Sequence, residues 1–61
     1  MNKEYVIQNI ETKLYWYGNY TNAQWIDNIR LAKTFEKHYA EQTITTDLDK
    51  GFYTIIEIYI K

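Results

Sequence analysis

Apolar positions along this chain follow two rhythms, one of period two and one close to a helical turn. From Glu4 to Ile10 (Glu-Tyr-Val-Ile-Gln-Asn-Ile) and from Leu14 to Tyr17 (Leu-Tyr-Trp-Tyr), β-branched and aromatic residues flank the polar triplet Glu11, Thr12 and Lys13. That arrangement predicts a β-hairpin. A three-residue loop sets Ile10 opposite Leu14 and Gln8 opposite Trp16. It gathers Val6, Ile10, Leu14 and Trp16 on one face and Tyr5, Ile7, Tyr15 and Tyr17 on the other. A two-residue loop mixes the two sets, so their segregation favours an odd loop length.

Gly18 and Asn19 tolerate positive φ and turn the chain, the polar stretch through Gln24 reads as a loop, and a short third strand follows at Trp25 and Ile26. Asp27 or Asn28 then caps a short first helix carrying Ile29, Ala32 and Phe35. From Lys37 to Leu48, Ala40, Ile44 and Leu48 recur every fourth residue and predict a second, amphipathic helix. Thr43, Thr45 and Thr46 weaken it, so packing must hold it. Asp49, Lys50 and Gly51 end it, with Gly51 in the left-handed conformation, and Phe52 to Ile60 alternates as a long strand.

In that strand Thr54, Ile56, Ile58 and Ile60 point one way, and Tyr53, Ile55, Glu57 and Tyr59 the other. Two apolar faces suggest a central strand covered on both sides, yet one helical layer covers only one. Matching the isoleucine face to Val6, Ile10, Leu14 and Trp16 leaves Tyr5, Ile7, Tyr15, Tyr17, Tyr53, Ile55 and Tyr59 uncovered. These seven are the candidate interface. The expected fold is α+β: an antiparallel three- to four-stranded sheet with helices on one face, forming a single domain over residues 1–61.

Composition narrows the picture. With 61 residues, no cysteine and no proline, one small domain must stand without disulfides. A chain this short buries only about 60% of its unfolded surface. Self-association as a homodimer or higher oligomer is therefore expected. No apolar run approaches the roughly 20 residues of a membrane span or the roughly 7–15 of a signal peptide, which predicts a cytoplasmic protein. A net charge of -1, with Lys and Arg spread along the chain, argues against duplex nucleic acid. Asn19, Tyr20 and Thr21 match a glycosylation acceptor but read more simply as a turn.

The residues offer little chemistry. Serine and cysteine are absent and His38 is the lone histidine, so no nucleophile triad or histidine metal site is expected, and no cofactor. Asp47, Asp49 and Gly51 match part of a calcium loop whose other ligands are missing. Glu57 is the one carboxylate in an apolar strand; it gains a raised pKa if buried, or pairs with a lysine. Arg30, Lys33 and Lys37, spaced by three and four, could form a basic stripe that receives an anion. Tyrosines at a subunit junction, with Arg30 or Lys33 holding a phosphate, would make a nucleotide-sequestering site, and a sheet of tyrosines could stack single-stranded bases. Base stacking lacks the positively charged groove it needs, and tyrosine and tryptophan are also enriched at protein interfaces, a reading that competes evenly with a place in the core for Tyr15, Tyr17, Tyr53 and Tyr59.

One resemblance bears on function. The order Tyr5-Val6-Ile7-Gln8-Asn9-Ile10-Glu11-Thr12, Leu14-Tyr15-Trp16, Trp25, Ala32-Lys33-Thr34-Phe35, Ala40, Ile44 and Ile56-Glu57-Ile58-Tyr59-Ile60 resembles small proteins of phages and prophages of low-GC Gram-positive bacteria. The abundance of Asn, Ile, Lys and Tyr, residues with AT-rich codons, agrees with such a genome. The resemblance implies a non-enzymatic protein that binds and blocks a host protein, antiviral defence machinery included, and that in some cases is a homo-oligomer. It supplies no site residues.

Overall fold

In a computed structural model, residues 2–19, 21–48 and 51–60 are described. They form β1 (Asn2–Asn9), β2 (Tyr15–Tyr17), β3 (Gln24–Ile26), a 3-10 turn (Ile29–Leu31), α1 (Lys37–Asp47) and β4 (Tyr53–Ile60). The four strands make one antiparallel sheet in the order β3-β2-β1-β4. This is the expected α+β class, with α1 packed against β1 and β4.

The sheet is held in two ways. β1 and β4 pair along their whole length, from Asn2 opposite Ile60 to Asn9 opposite Tyr53. β2 meets β1 only at Gln8 opposite Tyr15, and its own partner β3 sets Trp16 opposite Trp25. Side chains secure the joint. Trp16 is 3% exposed and stands edge-on to Trp25 and Phe35, with ring centroids 5.9 and 5.8 Å away. Ile7, Trp16, Phe35, Ala40 and Ile44 form the core, with Tyr5, Trp25, Leu48, Tyr53 and Ile55 packed against it. The four-residue rhythm of Ala40, Ile44 and Leu48 therefore does mark the inward face of α1.

The hairpin loop differs from the expected one. Asn9 N donates to Leu14 O at 2.9 Å, so the loop holds residues 10–13, and Asn9, not Ile10, lies opposite Leu14. The Asn9 side chain selects this turn: its Oδ1 accepts from the backbone of Glu11 and Thr12, both at 2.9 Å, while Lys13 N donates to Asn9 O at 2.8 Å. Lys13 closes the loop in the left-handed region at φ 66°. An extra residue reverses the parity of β2 relative to β1. Trp16 joins Ile7 under α1, and Tyr15 shares the other face with Gln8. The predicted grouping of Trp16 with Val6, and of Ile7 with Tyr15 and Tyr17, does not hold.

The first helix also shortens to a single 3-10 turn. Of the two expected caps, Asp27 and Asn28, it is Asn28 that serves, its side chain accepting from Arg30 N at 2.9 Å. Ala32 then turns extended because the sheet claims the following residues. Lys33 N donates to Trp16 O, and Phe35 exchanges both backbone hydrogen bonds with Tyr5 at 2.7 and 3.0 Å. Segment 33–35 thus fills the gap beside β1 that short β2 leaves open. α1 ends at Asp47, one residue short of the predicted Leu48. The proposed stop at Asp49 and Lys50 lies outside the described residues.

Candidate functional site

The seven candidate interface residues do not form one surface. Ile7 is fully buried beneath α1, and Tyr5, Tyr53 and Ile55 pack against the same cluster, with the Tyr53 ring 5.1 Å from that of Trp25. Tyr15 and Tyr17 belong to strand β2, where register turns Tyr15 to the opposite face. Tyr17 and Tyr59 are exposed. The tyrosine-bearing face of β4 is therefore the helix-covered one, a reversal that follows from the loop parity and from β4 offering two apolar faces of similar quality. Thr54, Ile56 and Ile58, turned the other way, are half-buried.

The basic stripe dissolves as well. Arg30 sits on the 3-10 turn, Lys33 on the extended segment and Lys37 at the start of α1, so no helix aligns them. Lys33 places its ammonium 5.6 Å from the centre of the Phe35 ring. His38 is a surface residue 3.8 Å from Glu36, its ring centre 4.1 Å from that of Tyr39 and tilted by 37°. Asn19 makes the expected turn, its Oδ1 accepting from Thr21 N, Thr21 Oγ1 and Asn22 N at 3.1, 2.9 and 2.9 Å. Tyr20 and Asp49 are outside the described residues, among which no group of three His, Cys, Asp or Glu could hold a metal ion. Nor, among those residues, is any helix long and apolar enough to cross a membrane.

Glu57 is exposed and pairs with tyrosines instead of a lysine. It accepts from Tyr59 Oη at 2.8 Å and lies 3.5 Å from Tyr5 Oη. The hydrogen bond to Glu57 and the charge of that carboxylate hold the Tyr59 phenol above its ordinary pKa, with the Lys3 charge acting against them.

The feature that the residue pattern misassigned is the position of β4. Two apolar faces pointed to a central strand, but β4 lies on the outside of the sheet, paired on one side only. Hydrogen-bond phase shows which of its backbone groups are open. Tyr5 and Asn9 bond away from β4, to Phe35 and Leu14, whereas Ile10 bonds toward it, to Phe52 O at 2.8 Å. Even-numbered residues of β1 therefore bond to even-numbered residues of β4. Tyr53, Ile55, Glu57 and Tyr59 turn their N–H and C=O groups outward, and among the described residues no backbone group answers them.

Strand edges of this kind are normally blunted by brevity, Lys, Pro or a bulge. β4 is eight residues long, holds neither Lys nor Pro, and keeps an unbroken register with β1. Its one charge, Glu57, is engaged by tyrosine hydroxyls. Next to its start, Phe52 exposes 51% of its surface and gives the strand an apolar end. No protein-family model matches the chain, and no curated protein and no solved structure matches it either.

Proposed function

We propose that this chain is a non-enzymatic protein-interaction module that docks by strand addition along the outer edge of β4, acts as a homo-oligomer and is directed at a host protein. The observation that carries this reading is the row of outward backbone groups on Tyr53, Ile55, Glu57 and Tyr59, an open template for another strand. Main-chain pairing supplies affinity in such complexes, and flanking side chains supply selectivity. Exposed Tyr59 on the edge strand and exposed Phe52 next to its start are placed for that purpose.

The resemblance to small phage and prophage proteins supports a partner in the host cytoplasm, antiviral defence proteins among them. The test is expression of the chain in a low-GC Gram-positive host that carries an active antiviral system, with phage plating efficiency as the readout. A rise of tenfold or more is expected. Unchanged plating across hosts that differ in their defence systems would overturn the host-directed reading.

A further inference from the structure

We infer that the strand that covers the β4 edge is β4 of a second copy of this chain, antiparallel about a twofold axis at Ile56. This rests on the proposed role of the edge and names its occupant. Open backbone groups occur only at the odd-numbered residues of β4, so an antiparallel copy must pair odd residues with odd residues.

Three registers keep most of the strand paired. In one, Tyr53 faces Tyr59 of the second copy and Ile55 faces its Glu57, so each of the four outward residues finds a counterpart. Shifting one way sets Glu57 against Glu57, like charges directly opposed, and leaves Tyr53 beyond the paired span. Shifting the other way sets Ile55 against Ile55 and leaves Tyr59 beyond it. Only the first register satisfies the whole edge and keeps the carboxylates apart.

Side-chain chemistry agrees on both faces. On the helix-covered face, the aromatic pair Tyr53–Tyr59 forms at each end of the joined strands, a favourable cross-strand combination. On the other face Ile56 meets Ile56 on the axis and Thr54 meets Ile58, so the half-buried isoleucines of each copy complete one another's cover. The contact is isologous and closes on itself, giving one eight-stranded sheet instead of a fibre. Tyr17, Leu31 and Tyr39 are on other elements and stay exposed on the doubled molecule.

Cysteine scanning tests the register, because the natural chain has no cysteine. Residues that face each other in a non-hydrogen-bonded antiparallel pair have Cα atoms about 4.5 Å apart, within disulfide reach. Ile56→Cys should crosslink to a covalent dimer under mild oxidation, and Thr54→Cys should not. The double variant Thr54→Cys with Ile58→Cys should crosslink again. Dimerisation through Ile55→Cys or Glu57→Cys but not Ile56→Cys would overturn this register.

Sedimentation of the unaltered chain should give twice its 7.5 kDa mass at micromolar concentration; the single-chain mass up to 500 µM would overturn the dimer. Glu57→Pro removes an outward N–H and leaves the β1 ladder intact. It should sediment as a monomer with an unchanged far-ultraviolet spectrum, and a persisting dimer counts against the β4 edge. A monomer that still raises phage plating removes the dimer alone, whereas a dimer in this register without that effect removes the host-directed reading alone.

Discussion

The two halves of the sheet are built on different principles. β1 and β4 share eight consecutive register pairs, so their association is spread over a backbone ladder along their whole length. β2 and β3 are three residues each, touch the rest of the sheet at a single register pair, and depend on Trp16 wedged among Trp25, Phe35 and Ile7. A ladder is specified by alternation spread over many residues. A short hairpin is specified by one large side chain and by two turns.

The most severe way to break that contrast is Trp16→Ala. It should cost about 3–5 kcal/mol, as large aromatic truncations in a core do. A chain of this length has about 3–9 kcal/mol in total, so the variant should lose a large share of its stability, read as a sharp fall of the urea midpoint at 25 °C. A loss under about 2 kcal/mol would mean that backbone contacts, not Trp16, hold the hairpin.

Gly18→Ala comes next. Gly18 sits at φ 96°, and an added Cβ would come 2.7 Å from the Asn22 carbonyl oxygen, so the β2–β3 connection must shift. A loss of about 1–3 kcal/mol is expected from denaturant midpoints, with hydrogen exchange accelerating in β2 and β3 before β1 and β4. Lys13→Gly acts in the other direction. It relieves a left-handed non-glycine residue where the two halves join and should stabilise by about 0.5–1 kcal/mol. A destabilised variant would show that the chain of bonds from Asn9 and Gln8 already makes that conformation cheap.

The smallest expected effect is confined to the ladder's far end. Because Glu57 raises the Tyr59 pKa in the folded chain, the associated stability is present below the ordinary phenol value and is lost as pH rises through the raised one. Glu57→Gln should bring that titration down toward the ordinary value, read by NMR of the Tyr59 ring with the other tyrosines as internal reference. No displacement would show that the 2.8 Å hydrogen bond is absent in solution.

Much of the fold was legible in the residue pattern. The inward positions of α1, the third strand at Trp25 and Ile26, a cap at one of Asp27 and Asn28 and the long last strand all appear where local chemistry places them. What failed was parity. Ile10 suits a strand end or a loop equally well, so hydrophobicity alone did not separate a three-residue loop from a four-residue one. Asn9, two and three residues before the backbone amides that its side chain binds, was the signal for the longer turn. The same ambiguity hid the edge: β4 carries isoleucines on one side and tyrosines on the other, and either set can pack under a helix. Nothing local records which neighbour a strand lacks, because sheet order is settled by partners far away in sequence.

Pairing Asn2 with Ile60 has a consequence for biosynthesis. While the ribosome is still making residues 53–60, β1 has no neighbour on its long side. The β1–β4 ladder therefore cannot form until those residues have been translated, so this half of the sheet closes later than the local β2–β3 hairpin.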